Sequence, residues 1–256
     1  MYVYDGVKSV KKNLFSKANI IRTIVCLTIG IYIIFLYLDI FTKDLGNTYS
    51  IILKYFIIIL CFVITLFIGR DYIGKTDKYF VQLARVLTLA ADYYLLIKGD
   101  FKTGIVFFCF VQAIYIIRHT VRSKSPHKNI FALLVMLLAA IILGFSFDIG
   151  YMEKGLVNLA LIYASLLLTS LYCAFRVIGH SLYKKGESYL IAAGMFLFFL
   201  CDVNVGLFNF ISDGGRRFLT GYLIWFFYTP SQLLLSLSGF SGSYFKKNFK
   251  LGRHKA

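Results

Sequence analysis

Asp92 and Asp202 each interrupt a stretch that is otherwise apolar, LARVLTLAADYYLLI and AAGMFLFFLCDVNVGLFNF. A charged side chain at the centre of a membrane helix costs ~2.5–3.5 kcal/mol on insertion scales. Two such residues in one chain point to a paired-carboxylate site. Two carboxyl groups in low dielectric can do acid–base chemistry without a metal, one giving a proton while the other accepts one or steadies a cation. Other polar residues accompany them. Arg85 stands seven residues before Asp92, two helical turns away on the same face. Asn204 and Asn209 follow Asp202, and Asp100 lies in the connector after Asp92. Gln112 and Tyr115 (i, i+3) and Tyr228 and Gln232 (i, i+4) place polar groups in register on two further apolar runs. In lipid such side chains face the bundle interior. There they serve either as part of a site or as interhelical hydrogen bonds worth ~0.6 kcal/mol each.

The elements that must hold these residues are membrane helices. Of 256 residues 59% are hydrophobic, and the mean hydropathy is +0.75, above the roughly one-half apolar content of soluble domains. A span needs about 20 largely apolar residues. Eight runs qualify: 21–41, 50–69, 78–97, 103–118, 129–147, 156–176, 188–210 and 218–238. The expected fold is an all-α polytopic bundle of eight transmembrane helices. It divides into a basic cytoplasmic segment (1–20), the membrane domain (21–240) and a basic cytoplasmic tail (241–256). With both termini inside, the inner segments hold 20 Lys and Arg and the outer connectors hold 6. That asymmetry predicts the N-in, C-in orientation in the cell membrane. The tail KKNFKLGRHKA reads as an orientation signal and an anchor for anionic head groups at the cytoplasmic face.

Asp92 lies five residues before the outer end of span three and Asp202 eight residues before that of span seven. By helical rise this is roughly 8 and 12 Å, a shared depth. An internal echo adds to this. Asp92 is followed by GDFKTG and then Gln112, and Asp202 by SDGGRRFLTG and then Gln232. The order suggests a parallel four-plus-four repeat with a site between the halves.

Several classes are excluded by placement. The net charge of +16 resides in short connectors between apolar runs, which argues against nucleic-acid binding. Cys26, Cys61, Cys109, Cys173 and Cys201 all lie in apolar runs without CxxC spacing. His119, His127, His180 and His254 lie at span ends, in connectors or in the tail, so no His-based metal site is expected at the depth of the aspartates. There is no G-x-S-x-G elbow, P-loop or dinucleotide fingerprint. No cofactor is expected.

The segment TLAADYYLLIKGDFKTGIVFFCFVQAIYIIR resembles the third and fourth spans of the lysoplasmalogenase (YhhN) family. Those spans carry an Asp, a leucine-rich turn, a GD-like loop, Phe-x-x-Gly and a helix ending in Tyr. GMFLFFLCDVNVGLFNF resembles the family's seventh span, and YTPSQLLLSLSG its last, with Tyr228 and Gln232 matching a Tyr-x-x-x-Gln pair. The chain resembles a divergent, bacterial-type member. Ala91 stands where the family usually has Gly, Cys201 where it has Ser, and Gln112 where it often has His. The resemblance implies a hydrolase that takes a lysophospholipid from the bilayer. Such an enzyme cleaves the vinyl-ether bond of lysoplasmalogens to a fatty aldehyde and a glycerophospho-base, with Asp92 and Asp202 as the catalytic pair. Intramembrane carboxylates and a four-plus-four repeat also fit an alternative, a proton-coupled multi-pass transporter.

Overall fold

The computed structural model describes residues 16–146 and 154–248. The basic N-terminal segment up to residue 15, the connector 147–153 and the tail from 249 lie outside the described residues. The anchoring expected of the tail therefore falls largely outside them as well.

The described residues form helices and short connectors. In chain order these are α1 (Lys17–Thr42), α2 (Thr48–Leu66), α3 (Lys75–Asp92), α4 (Phe101–Val121), α5 (Pro126–Ser146), α6 (Lys154–His180), α7 (Lys185–Phe210), α8 (Gly214–Leu237) and the short α9 (Gly242–Asn248). Their starts follow local chemistry. Ser16 and Asn47 accept backbone N–H groups at the starts of α1 and α2, and Pro126 occupies the first position of α5. Seven helices, α1 to α7, are long and apolar enough to cross a membrane, with α3 counted together with the turn that extends it. The 24-residue α8 is equally long but less apolar, because it carries Thr229, Ser231, Gln232 and Ser236, all buried. The bundle is inverted relative to a soluble protein. Phe131 is 69% exposed and Ile33 61%, while Arg85 is 1% exposed. Apolar side chains outside and polar ones inside suit a lipid solvent. The chain is an integral membrane protein by the length, apolarity and outward face of its helices.

Six helices close a ring in the order α2, α3, α4, α6, α7, α8 and back to α2. α1 lies outside the ring against α2 and α8, and α5 lies outside it against α6 and α4. At one end, here termed the basic end, the connectors pair through two isolated bridges, Tyr72 with Phe240 and Ser123 with Ser181. α9 turns back there, and Phe240 and Tyr244 pack with Ile21, Ile64, Ile68 and Val81.

Two helices carry irregular backbone near Asp92 and Tyr228. α3 passes after Asp92 into a π-helical turn, Tyr93–Lys98, closed by Gly99 at φ 66°. Pro230 inside α8 removes the N–H that would bond the Phe226 carbonyl, and the Tyr32 hydroxyl of α1 donates to that oxygen instead, at 2.9 Å. α4 also runs past the span end expected at residue 118. Arg118 is not a connector residue: it is fully buried, its Nε and Nη2 donating to the two Asp77 carboxylate oxygens at 3.0 Å each. That neutralisation lets the helix continue to Val121.

Candidate functional site

α3 carries its polar residues on one stripe. Asp77, Arg85, Thr88 and Asp92 all face inward, while Tyr79, Leu83 and Val86 face outward. The three- and four-residue spacing sets this stripe, and lipid on the other side keeps it there. Asp92 ends the stripe at 3% exposure. Its Oδ2 accepts a 2.6 Å hydrogen bond from the Tyr228 hydroxyl of α8. Asp202, on α7, is half-buried, and its Oδ2 accepts a 2.6 Å hydrogen bond from the Tyr163 hydroxyl of α6. Each carboxylate thus has a phenol from another helix and, among the described residues, no cation within ion-pair distance. The two pairs flank one ring. Phe108 of α4 packs at 6.4 Å from Tyr228 and 6.2 Å from Tyr163, centroid to centroid, and Phe198 closes on both Phe108 and Tyr228. Asp92 lies within electrostatic range of both Asp202 and Arg85.

Arg85 lies deeper, one and a half to two turns from Asp92 along α3. Its two Nη atoms donate to Gln232 Oε1 and to the Tyr115 hydroxyl, so it is held by neutral partners from α8 and α4. Gln112 Oε1 accepts from Ser170 of α6 at 2.5 Å, and its amide lies beside the Tyr163 hydroxyl. Arg85 Nε, Gln112 Nε2 and Gln232 Nε2 are buried donors with no protein acceptor. Of the residues singled out in the sequence, Arg85, Gln112, Tyr115, Tyr228 and Gln232 therefore line one interior with the two aspartates.

Three others do not reach it. Asn204 and Asn209 donate to the carbonyls of Leu200 and Val205 on their own helix, the usual way to satisfy an amide without a neighbour. Asp100 is exposed and caps α4 through Thr103 N at 3.1 Å. Hydrogen bonding by Thr103, first through its side chain and then through its backbone N–H, holds the Asp100 carboxyl below its ordinary value.

Sequence reasoning missed Tyr163, because a tyrosine in NLALIYASLLL is chemically unremarkable in a span. It also missed a buried ion pair, Lys54 with Asp39 at 2.8 Å, supported by the Ser50 hydroxyl at 2.5 Å. Here a signal existed: opposite charges inside two adjacent apolar runs. Lys54 Nζ sits over the rings of Phe35 and Trp225, and Trp225 packs edge-on against Tyr228 at 5.3 Å. The pair thus buttresses the tyrosine that holds Asp92. Among the described residues no three His, Cys, Asp or Glu side chains converge as a metal site would require. His119 lies buried near the basic end of α4, stacked on Tyr115 at 5.9 Å.

The YhhN family model matches residues 49–239, about three quarters of the chain and every site residue above. The chain belongs to the YhhN family. Among curated proteins and solved structures, none matches it. Membership makes this YhhN chain a protein of the lysoplasmalogenase type, and its matched region runs from α2 to the end of α8. The α1 helix, with Asp39, lies outside the match.

Proposed function

We propose that this protein is a membrane hydrolase that cleaves the vinyl-ether bond of lysoplasmalogens. The observation that carries the reading is the pair of Asp–Tyr couples, Asp92–Tyr228 and Asp202–Tyr163, on either side of Phe108. One carboxyl delivers its proton to the β-carbon of the vinyl ether. The C=C π pair forms the new C–H bond and leaves an oxocarbenium ion, which the other carboxylate steadies. Water adds to the α-carbon and passes a proton to that carboxylate. The hemiacetal then collapses: its hydroxyl returns a proton to the first carboxylate, and the glycerol oxygen takes one from the second as its C–O bond breaks. One water is consumed and both carboxyls are restored. The unsatisfied donors of Arg85 and Gln232 suit the anionic oxygens of the substrate.

The eighth helix, the N-in and C-in orientation with the basic end cytoplasmic, and a parallel repeat of α1–α4 with α5–α8 belong to the same proposal. The ring supports the repeat, since α1 lies against α2 and α8 as α5 lies against α6 and α4. So does a constant offset of 110 residues that pairs Ile68 with Ile178, Gly69 with Gly179, Lys75 with Lys185, Tyr79 with Tyr189 and Asp92 with Asp202. The test is purified protein in phosphatidylcholine vesicles with a 1-alkenyl lysophospholipid. In D2O the released aldehyde should carry one deuterium at its second carbon, and the saturated ether analogue should survive. No aldehyde from the unaltered chain, or undiminished release by Asp202→Asn, would end this reading. The π-helical turn after Asp92 and Pro230 inside α8 favour the transporter as second reading. Substrate uptake driven by a pH gradient without product would select it.

A further inference from the structure

At the basic end a polar cleft of about 360 Å³ opens between the four connectors that the two bridges tie together. Three cations line it, Arg70, Arg122 and Lys184. Its two acids are already engaged. Asp71 is bound by Lys17, and the Glu187 oxygens accept the backbone N–H groups of Lys184 and Gly242 at 2.9 and 2.8 Å. Among the described residues none of the three lining cations has a carboxylate partner, so the cleft keeps a positive surplus of about two charges after Lys17 is counted with its aspartate. Arg122 is held for this. Its guanidinium lies 4.9 Å over the Tyr183 ring, its Nε is buried without an acceptor, and its Nη1 occupies the space beside Gly74. A Cβ at position 74 would come within 2.5 Å of that nitrogen. The hydroxyls of Ser241 and Ser243, bonded to each other at 2.8 Å, line the same cleft as neutral donors. Guanidinium groups with hydroxyl donors and unspent positive charge are the chemistry of phosphate recognition.

We infer that this cleft is a phosphate-binding site separate from the carboxylate pair, with Arg122 as its anchor and the exposed Arg70 and Lys184 as its arms. The phosphate can belong to a lipid head group at the membrane surface or to a soluble phosphate ester. The test uses the full chain in neutral detergent and in phosphatidylcholine nanodiscs, and reads the thermal midpoint. One arm titrates sn-glycerol 3-phosphate against chloride at matched ionic strength. The other adds dioleoyl phosphatidic acid to the nanodiscs. A saturable upward shift in the first arm only assigns a soluble phosphate, in the second only a head group, and in both the phosphate group itself. Arg122→Gln should weaken the apparent affinity at least tenfold. Gly74→Ala, which displaces only the flexible end of Arg122, should weaken it several-fold while leaving the ligand-free midpoint unchanged. No saturable shift in either arm, or a shift that both variants retain, would overturn the inference.

Discussion

Four aspartates sit inside this bundle, three of them buried and Asp202 half-buried, and they fall into two kinds. Asp39 and Asp77 each hold a cation, Lys54 at 2.8 Å and Arg118 at 3.0 Å. Asp92 and Asp202 each hold a tyrosine and, among the described residues, no cation within ion-pair distance. On the proposed function, the difference separates holding a fold from doing chemistry. A carboxylate bound on both oxygens by a guanidinium is neutralised and fully satisfied, and nothing is gained by protonating it. A carboxylate bound by one phenol keeps a free oxygen and no fixed counter-charge, so it can exchange a proton with a substrate. The sharpest way to break this contrast is to neutralise one of each kind. Asp92→Asn or Asp202→Asn should lower aldehyde release about a hundred- to ten-thousandfold, the range for loss of a general acid or base. The thermal midpoint should hold or rise. Asp77→Asn should do the reverse, lowering the midpoint while activity per folded molecule stays within a few-fold. Equal behaviour of the two kinds would dissolve the distinction.

The second effect is on stability. Arg118→Met leaves Asp77 buried with only the Tyr183 hydroxyl, and removing one partner of a buried ion pair costs about 3–5 kcal/mol. Asp77→Leu combined with Arg118→Met should recover most of that loss, because a well-packed apolar pair can replace buried charge. Denaturation in mixed micelles measures both. A double variant no more stable than Arg118→Met would mean that the clamp holds the connectors through Ser238, to which Arg118 also donates, rather than through charge.

A smaller effect tests the asymmetry between the two catalytic candidates. Asp92 is sealed, and Asp202 is half-buried. A hydrogen bond to a charged group contributes about 1.5–3 kcal/mol, equivalent to roughly ten- to a hundredfold in rate. Tyr228→Phe should fall in that range. Tyr163→Phe should fall less, since the half-buried Asp202 is less completely enclosed than Asp92. Steady-state aldehyde release by the two variants, side by side, decides it; a larger loss for Tyr163→Phe would make Asp202 the more sealed group.

The two aspartates were legible in the sequence because charge in an apolar run is costly wherever it occurs, so each one stands out alone. Arg85 was legible by helical register from Asp92, and Gln112 and Tyr228 as polar groups in register with Tyr115 and Gln232 on their own spans. Tyr163 was not, because a tyrosine belongs in a span whether or not it bonds a carboxylate, and only the packing of α6 against α7 brings it to Asp202. The ion pairs hid for a different reason. Asp39 and Arg118 lie close to span ends, where charge is expected, and only their partners show that they point inward. The π-helical turn after Asp92 has no local marker: YYLLIK is ordinary helix-forming sequence until Gly99. Of the eight runs read from hydropathy, seven are helices apolar enough to cross a membrane, and α8 falls short because it lends its polar face to the interior.

The smallest expected effect comes from Asp100, eight residues beyond Asp92 and of the same type. It is exposed, and its work is to cap α4. Hydrogen bonds from Thr103 hold its carboxyl below the ordinary value in the folded chain. The stabilisation is therefore fully present above the unfolded carboxyl value of about 3.9 and is lost as pH falls through the lower folded value. Asp100→Ala should leave aldehyde release within twofold at neutral pH and lower the thermal midpoint slightly. That difference should shrink as the pH is brought below about 4. A loss of activity comparable to that of Asp92→Asn, with the midpoint unchanged, would place Asp100 in the chemistry after all. It would also show that exposure at the mouth of the bundle, and not burial with a phenol, marks the working carboxylates.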